Sequence, residues 1–371
     1  MRLRKMEKIK IGNKLIGKGE PCFIIAEAGV NHQGSLKLAK KLIDVAKDAR
    51  ADAVKFQTFL AKEAVVKNAK PIEYQRKNIG GKETQLEMIK KFELGYKSFK
   101  ELKRYADKKR IIFLSTPDTP RDAKFLENLV PAHKIGSAEL LNYPLLKEVA
   151  KKKKPIILST GMATLAEVKK ALKFLKKSGS NKIILLHCTT NYPCPLNEVN
   201  LRAMETMRKK LGCLVGYSDH TLGITVPVLA AVLGARVLEK HFTLSKNLPG
   251  PDHKASLEPQ ELKEMVKAVR EIEKLSAKDK QKKIKSIANF KEILGRSSKK
   301  PTKSELKIKK LYRRSIVGEQ NIRKGELITP KNIALKRPGL GLPSEFYKKI
   351  IGKTAKTDIK KGEFIRLNKL K

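Results

Sequence analysis

The feature that most constrains the fold of this 371-residue chain is a pattern that repeats eight times between Cys22 and about Leu275. In each repeat a short apolar segment is followed by a polar loop and then by an amphipathic helical stretch, such as the face formed by Leu38, Leu42 and Val45. The predicted strands are residues 23–26, 53–57, 111–115, 133–136, 156–159, 183–187, 214–217 and 237–240. Eight such units in about 250 residues are typical of a (β/α)8 (TIM) barrel, an α/β fold.

An open, doubly wound sheet would also alternate strands with helices. That fold commonly carries a Gly-x-Gly-x-x-Gly turn after its first strand, where it binds dinucleotide phosphates. The segment that follows Ala26 contains no such turn. The number of repeats therefore favours the barrel.

The C-terminal part of the chain follows a different pattern. Residues 276–310 are rich in lysine and prone to form helices, and from residue 311 onward short strands alternate with turns. Two phrases in this region, residues 322–328 and 359–365, echo each other, which predicts a compact β-rich module with internal pseudo-symmetry. The predicted domains are a barrel over 1–275, a linker over 276–310 and a β-rich domain over 311–371.

The formal net charge of +46 limits the possible partners. Such a charge raises the possibility of nucleic acid binding. However, the lysines are spread over nearly every predicted helix, and few aromatic residues lie among them for base stacking. We therefore expect no specific nucleic-acid partner, and a non-enzymatic polyanion-binding protein is kept only as an alternative. Attraction of anionic substrates is the more useful consequence of the charge.

Cysteine content and hydropathy predict a cytoplasmic protein. The four cysteines form no Cys-x-x-Cys pair, so neither a disulfide framework nor a thiolate zinc site is indicated. The longest apolar run, residues 226–235, is too short to cross a bilayer, so no membrane association is expected. The basic N-terminal segment, residues 1–8, is followed by alternating residues and does not resemble a signal peptide.

Two histidines follow neighbouring predicted strands. The phrase Gly-Tyr-Ser-Asp-His ends at His220, and the phrase Glu-Lys-His ends at His241. Side chains alternate along a strand, so Ser218 shares a face with His220, and Glu239 shares a face with His241. A single histidine near a strand end is more often a hydrogen-bonded core residue. Two imidazoles at adjacent strand ends instead suit a divalent metal that keeps positions open for substrate.

Two lysines lie within predicted strands that are otherwise rich in apolar residues, where a cation is costly unless it meets an anion. Lys55 shares a strand face with Gln57, toward the predicted barrel mouth, and Lys134 lies in the fourth strand. Hydroxyl groups follow neighbouring strands at Thr116, Ser137 and Ser159. Together these residues favour a phosphorylated, carboxylated small molecule as the substrate.

Taken as a set, the motifs resemble those of the sialic acid synthase family, and the region beginning at Arg313-Arg-Ser-Ile316 resembles the antifreeze-like (SAF, β-clip) domain attached to those enzymes. The motifs are Ala26-Glu-Ala-Gly-Val-Asn-His32, Lys55-Phe-Gln57, Ser115-Thr-Pro117, Lys134-Ile-Gly-Ser137, Ser159-Thr-Gly-Met162, His187-Cys-Thr-Thr-Asn-Tyr-Pro193, Gly216-Tyr-Ser-Asp-His-Thr221, Glu239-Lys-His-Phe-Thr243 and Gly250-Pro-Asp-His253. They follow one another along nearly the whole chain.

This resemblance implies an enzyme that condenses phosphoenolpyruvate with an N-acetylated hexosamine to give a nine-carbon 2-keto acid and phosphate. N-acetylmannosamine and a dideoxy diacetamido sugar, which leads to legionaminic- or pseudaminic-type acids, are both open as the substrate. The resemblance also implies a divalent metal, typically Mn²⁺ with Mg²⁺ or Co²⁺ as alternatives, and a domain-swapped homodimer. A barrel synthase that uses a sugar phosphate is the alternative enzyme, but it would need additional arginines at the mouth.

The resemblance also implies a role for individual residues. It places the metal on His220 and His241, and it makes Glu27 and Glu239 the catalytic carboxylates. The residues implied to bind phosphoenolpyruvate are Lys55, Thr116, Lys134, Ser137, Ser159, Thr190 and Ser218, with Asn191 as an alternative to Thr190. The residues implied to bind the sugar are Gln57, Tyr192, Asp252 and Arg314, the last of which reaches in from the second subunit of the swapped dimer.

Overall fold

The computed structural model describes residues 7–80 and 83–371, so the first six residues of the basic N-terminal segment lie outside it. The described chain begins with an antiparallel pair, β1 (Ile9–Ile11) and β2 (Lys14–Ile16). Eight parallel strands follow: β3 (Phe23–Gly29), β4 (Ala53–Thr58), β5 (Ile112–Pro117), β6 (His133–Ile135), β7 (Ile156–Ser159), β8 (Ile183–His187), β9 (Leu214–Asp219) and β10 (Val237–His241).

These eight strands form a nearly closed barrel. The strand order is β5-β4-β3-β10-β9-β8-β7-β6, so the first and last barrel strands, β3 and β10, pair with each other. Strands β5 and β6 lie side by side where the ends of this order meet. The predicted (β/α)8 barrel is confirmed. Several strands run further than predicted, and β9 and β10 include Asp219 and His241 because parallel pairing continues to the mouth.

Helices connect the strands on the outside of the barrel. They are α1 (Leu36–Asp48), α2 (Ala61–Ala64), α3 (Glu73–Ile79), α4 (Gln85–Lys90), α5 (Tyr96–Lys108), α6 (Pro120–Phe125), α7 (Tyr143–Lys151), α8 (Leu165–Lys177), α9 (Arg202–Leu211), α10 (Thr225–Val232) and α11 (Pro259–Glu273). Helix α8 shows how the sequence sets their starts, since Thr164 and Glu167 form a reciprocal capping box. No helix among the described residues is long and apolar enough to span a membrane.

The interior of the barrel is apolar at one end and polar at the other. Ile9, Ile11 and Ile16 of the N-terminal hairpin pack against strand residues such as Ile25 and Leu186 and close the lower end. A second apolar layer lies between the strands and the outer helices. The open end is therefore the C-terminal end of the strands, where barrel enzymes carry their active sites.

The linker consists of α12 (Ala277–Ser286), α13 (Phe290–Leu294) and α14 (Lys303–Tyr312). The small domain that follows contains the antiparallel strands β11 (Ser315–Gly318) and β12 (Ile333–Lys336) and the short helix α15 (Tyr347–Ile350). The two echoing phrases pair with each other, because Ile322 and Ile359 exchange hydrogen bonds of 2.9 and 2.8 Å. Isoleucines of both phrases also fill the core of this domain.

The linker and the small domain lie across the mouth of the barrel. Glu305 of α14 accepts hydrogen bonds from the backbone amides of Met162 (2.6 Å) and Thr190 (2.9 Å), which follow β7 and β8. The small domain is held by backbone bonds between Arg337 and the α2 region, from the Arg337 amide to Ala64 (3.0 Å) and from Val66 to the Arg337 carbonyl (3.1 Å). These contacts complete the walls of a cavity above the strands.

Candidate active site

The cavity at the barrel mouth contains nearly every residue that the sequence singled out. The predicted residues that line it are Glu27, Lys55, Gln57, Thr116, Lys134, Ser137, Ser159, Thr190, Tyr192, Ser218, His220, Glu239, His241 and Asp252. The structure thus brings together residues from all eight strands or the loops that follow them. Arg314 is the predicted site residue that does not line the cavity.

Four buried charges form the floor of the cavity. The Nζ atom of Lys55 lies 2.6 Å from Oε2 of Glu27 and 3.9 Å from Oε2 of Glu239, and it donates a 3.0 Å hydrogen bond to Thr116. Lys134 lies 3.2 Å from Oε1 of Glu239. Two lysines and two carboxylates compensate one another, as burial of charge requires.

Burial and neighbouring charges shift the pKa values of Glu27 and Glu239 in opposite directions. Burial raises the pKa of Glu27 to about 7, although Lys55 opposes the change. Burial also acts to raise the pKa of Glu239, but Lys134 and Lys55 together outweigh it, so the pKa of Glu239 is lowered. Glu27 can therefore gain or lose a proton near neutral pH, whereas Glu239 stays ionised.

Hydroxyl groups beside Lys134 form a cradle for an oxyanion. The Oγ atom of Ser159 and the Oγ1 atom of Thr190 are buried and have no hydrogen-bond partner among the described residues. Ser137 accepts a 2.9 Å bond from the amide of Gly161, and a Cβ at Gly161 would lie 2.1 Å from the Thr190 hydroxyl. Only glycine leaves this space open. Of the two alternatives at this position, Thr190 faces the cavity, and Asn191 is not among the lining residues.

The two histidines predicted to hold a metal lie side by side at the ends of β9 and β10. Their ring centroids are 5.8 Å apart. His220 donates from Nδ1 to the carbonyl of Thr189 at 2.6 Å, which leaves its Nε2 lone pair facing the hydroxyl of Tyr192 at 2.9 Å. The Nδ1 atom of His241 is buried without a hydrogen-bond partner among the described residues, and Asp252 approaches it to 4.0 Å.

This donor set fits an open metal site. Burial lowers the pKa of both His220 and His241, so both imidazoles are neutral and able to bind a cation. No group of three or more histidine, cysteine, aspartate or glutamate side chains is arranged to hold a metal within the described ranges. His220 and His241 would supply two ligands, and the other positions would be taken by water and substrate.

The part of the cavity assigned to the sugar combines polar groups with an apolar wall. Gln57 donates a 3.3 Å hydrogen bond to Glu27, and burial raises the pKa of Asp252 to about 7. The rings of Tyr192 and Tyr74 are stacked with centroids 5.2 Å apart. The apolar wall is formed by Val30, Phe59, Met88 and Phe92.

Arg314 lies outside the cavity of its own chain. The resemblance implies that it enters the second subunit's barrel and contacts the sugar, and in the single chain it lies against the barrel of that chain. Its guanidinium group lies 2.6 Å from Asp118 and 2.7 Å from Glu139, and it donates a 2.8 Å bond to the carbonyl of Leu335. Glu305 holds α14 to the mouth of this barrel nine residues before Arg314.

Comparison with known families identifies the chain. The model of the NeuB family matches residues 42–282, and the model of the SAF domain matches residues 313–371. This chain belongs to the NeuB family. The expected resemblance to sialic acid synthases and their SAF domain is confirmed, and the chain is an enzyme of this synthase type.

Several relatives match the NeuB-family chain over almost its entire length. The N,N'-diacetyllegionaminic acid synthase of Campylobacter jejuni is 47% identical over 93% of this chain and 98% of its own. The corresponding synthase of Legionella pneumophila is 43% identical over 95% of both chains. The human N-acetylneuraminate-9-phosphate synthase is 34% identical over 94% of this chain and 93% of its own.

The structural comparison agrees with the sequence comparison. The crystal structure of the spore coat polysaccharide biosynthesis protein SpsE from Bacillus subtilis has a TM-score of 0.83 and 36% identity. The match covers 98% of this chain and 99% of SpsE. The similarity therefore includes both the barrel and the SAF domain.

Sequence reasoning missed two groups of residues in this NeuB-family site. Tyr312 and Arg337, from the end of the linker and from the SAF domain, line the cavity, and nothing in their local sequence marks them as mouth residues. Lys240 and Asp219 form a fully buried ion pair behind the histidines. The sequence could have indicated this pair, since each residue lies between two predicted site residues of its strand, β9 or β10.

Proposed function

We propose that the protein condenses phosphoenolpyruvate with a hexose that carries two acetamido groups, giving a nine-carbon 2-keto acid and phosphate. The observation that carries this proposal is the position of a lysine-lined oxyanion cradle directly beside a pair of neutral histidines. The cradle suits the phosphate and carboxylate of phosphoenolpyruvate, and the histidines suit the polarisation of an aldehyde. The identities of 47% and 43% to two N,N'-diacetyllegionaminic acid synthases support the choice of sugar.

In this proposal phosphoenolpyruvate binds at the floor of the cavity. When Glu27 is protonated, Lys55 and Lys134 carry one positive charge more than Glu239 balances and can attract the anion. The free hydroxyls of Ser159 and Thr190 donate hydrogen bonds to its oxygens. Charged hydrogen bonds of this kind hold the enol carbon at a fixed distance from the second substrate, which lowers the entropic part of the barrier. Thr116 and Ser218 orient the two charge pairs through their hydrogen bonds to Lys55 and Glu239.

The sugar binds with its aldehyde toward His220 and His241. These residues would hold a divalent cation, for which we propose Mn²⁺ because imidazole ligands suit transition metals better than Ca²⁺. When bound, the cation supplies Lewis-acid polarisation of the aldehyde oxygen. A cation on Nε2 of His220 would free the Tyr192 hydroxyl to bind the same end of the sugar, which Gln57 orients through its bond to Glu27.

The proton balance of the reaction points to Glu27. Attack of the enol carbon on the aldehyde carbon forms the new C–C bond and leaves an alkoxide, which needs one proton. Water then adds to the resulting cation at the former enol carbon and releases one proton, and loss of phosphate gives the ketone. Glu27, with a pKa of about 7, can donate the first proton and accept the second. Glu239 stays ionised and stabilises the cation.

The distal part of the cavity favours a diacetamido sugar over a sugar phosphate. The apolar wall of Val30, Phe59, Met88 and Phe92 suits methyl groups. The two arginines near the mouth, Arg314 and Arg337, are compensated by Asp118 and Glu139 and do not provide a free site for a dianion.

Product analysis tests this proposal. The enzyme is incubated with Mn²⁺, phosphoenolpyruvate and one of three sugars, and phosphate release and product mass are measured. The sugars are the diacetamido trideoxymannose that corresponds to N,N'-diacetyllegionaminic acid, N-acetylmannosamine and N-acetylmannosamine 6-phosphate. We expect the highest kcat/KM with the first. A product from the phosphorylated sugar alone would refute the proposed substrate, and no product from any sugar would refute the proposed reaction.

We further propose that the enzyme is a cytoplasmic homodimer in which the linkers and SAF domains are exchanged. An exchange of identical domains replaces contacts within one chain by the same contacts between two chains. The absence of buried residues in α12 supports a hinge before α13.

The four cysteines are free and buried, which suits the reducing compartment proposed here, the cytoplasm.

A further inference from the structure

We infer that Arg337 of the SAF domain, supported by Tyr312, contacts the end of the sugar that lies farthest from the aldehyde. In this role Arg337 is a specificity-determining residue that favours a second acetamido group at that end. The inference rests on the proposed sugar substrate and adds the group that recognises it. It concerns a different residue from Arg314, which does not line the cavity.

Arg337 is held rigidly where it meets the barrel. Beyond the end of β12, its backbone pairs with Val65, and it forms the hydrogen bonds to Ala64 and Val66 described above. Tyr312 and Arg337 are the lining residues that the region after residue 275 contributes to the cavity. Its side chain is held by Tyr312 and Asp118, so it loses little conformational freedom when it binds a ligand and can discriminate between ligands.

The guanidinium group of Arg337 has an unused donor. It lies over the ring of Tyr312 at 4.7 Å from the centroid, and one terminal nitrogen lies 3.3 Å from Asp118. The Nε atom is buried, and it donates to no acceptor in the described ranges 7–80 and 83–371. A buried donor that lacks a partner costs free energy, and a ligand acceptor at this place would recover that cost.

The charges around Arg337 determine which ligand group can accept a hydrogen bond from it. Asp118 is shared by Arg314 and Arg337, and Glu139 pairs with Arg314, so two cations face two carboxylates. A phosphate dianion would add two negative charges to a compensated cluster. A neutral amide carbonyl accepts the single N–H without changing this balance, and an acetamido group also carries a methyl for the apolar wall.

A row of aromatic rings runs from the end of the cavity where the aldehyde is proposed to bind to Arg337. Starting at His220, the rings run through Tyr192, whose centroid is 4.1 Å from that of His220, to Tyr74, which stacks on Tyr192. Tyr312 is adjacent to Tyr74, since both pack against the cluster of Ile72, Met162 and Ile308. Arg337 covers Tyr312 at the far end. His220 and Arg337 line one cavity and lie at opposite ends of this row of rings, so we place the distal carbons of the sugar on the Arg337 side.

Three variants test this assignment in the full-length enzyme with Mn²⁺. Arg337→Met removes the donor and keeps the aliphatic stem, and Arg337→Lys keeps a cation that can still pair with Asp118 but has no Nε–H. Arg323→Met, on the exposed surface of the same domain, is the matched control. The readouts are kcat/KM for the diacetamido trideoxymannose and for N-acetylmannosamine, the KM for phosphoenolpyruvate, and the thermal midpoint.

We expect both Arg337 variants to lose about 10- to 100-fold in kcat/KM for the diacetamido sugar, the range for a lost hydrogen bond to a charged group. With N-acetylmannosamine the loss should stay below about threefold, so that the preference for the diacetamido sugar falls. Equal losses with both sugars, or unchanged preference in a stable Arg337→Lys enzyme, would overturn the inference. If the wild-type enzyme uses neither sugar, the proposed function fails instead, and the two failures are therefore distinguishable.

Discussion

At the scale of single residues, the site depends on groups that substrate never touches. Asp219 and Lys240 lie on the outer face of β9 and β10, between Ser218 and His220 and between Glu239 and His241. Lys240 binds both Asp219 and the carbonyl of Thr221, and the amide of Thr221 donates to Asp219. A fully buried ion pair is weak evidence for stability but can fix geometry. Here it fixes the ends of the two strands that carry the histidines.

The first prediction distinguishes two roles of the Asp219–Lys240 pair, which are positioning the two histidines and stabilising the folded protein. Lys240→Met leaves Asp219 buried without its cation and should lower the free energy of unfolding by about 3–5 kcal/mol. The double variant Lys240→Met with Asp219→Leu should recover most of that stability, because it buries no charge. Its affinity for Mn²⁺, measured by electron paramagnetic resonance of the free ion, should still be about 10- to 100-fold weaker than that of the wild type. Wild-type Mn²⁺ affinity in a stable double variant would contradict the positioning role.

The second prediction concerns a buried histidine outside the cavity. Burial lowers the pKa of His187 from its usual 6.5 to about 3, and its Nε2 lies 2.9 Å from the carbonyl of Val199. The unfolded chain therefore binds more protons than the folded chain between about pH 6.5 and pH 3, and stability falls as the pH falls through this window. His187→Gln keeps an N–H donor and removes the titration.

The expected result is a flatter dependence of stability on pH. Between pH 7 and pH 5 the wild type should lose about 2 kcal/mol of unfolding free energy through this one residue, and His187→Gln should not. Urea unfolding at both pH values measures the difference. An equal loss in both proteins would show that His187 does not contribute.

At the scale of elements, the sequence predicted the barrel well because eight strand–helix repeats admit few alternatives. It also predicted most of the site, since residues that follow parallel strands meet at one end of the sheet whatever the helices do. Tyr312 and Arg337 could not be predicted in this way, because their position depends on how α14 and β12 dock on the mouth. This docking depends on single contacts, such as the hydrogen bonds of Glu305 to the amides of Met162 and Thr190. The lysine-rich sequence of the linker gives no sign of these contacts.

The third prediction tests the contact that docks α14. Glu305 is buried and bonds the amides of Met162 and Thr190, next to the hydroxyls proposed to hold phosphoenolpyruvate. Glu305→Ala should raise the KM for phosphoenolpyruvate by about tenfold through the loss of a charged hydrogen bond, with a smaller change in the KM for the sugar. Lys307→Ala, at an exposed position on the same helix, is the control. Equal increases in both KM values would indicate general loosening of the mouth rather than positioning of the cradle.

At the scale of the whole molecule, the cavity is lined by residues of both the barrel and the SAF domain, and the proposed dimer predicts that the SAF domain of one subunit completes the barrel of the other. Arg314 is suited to a test because it bridges Asp118 and Glu139 of the barrel. Removing it leaves two buried carboxylates without their shared cation. We therefore expect Arg314→Ala to be inactive, and we expect the same of His220→Ala because it removes an imidazole of the proposed metal site.

The last prediction combines these two inactive variants. A mixed dimer contains one His220→Ala chain and one Arg314→Ala chain. If SAF domains are exchanged, one of its two sites lacks both side chains, and the other has an intact barrel and an intact Arg314. Random co-assembly gives mixed dimers in about half of the molecules, so about a quarter of wild-type activity should return. Separately purified homodimers that are mixed briefly should stay inactive, because exchange requires the linkers to open. Inactive heterodimers, purified with two different tags, would show that each SAF domain serves its own barrel, since every site would then carry one defect.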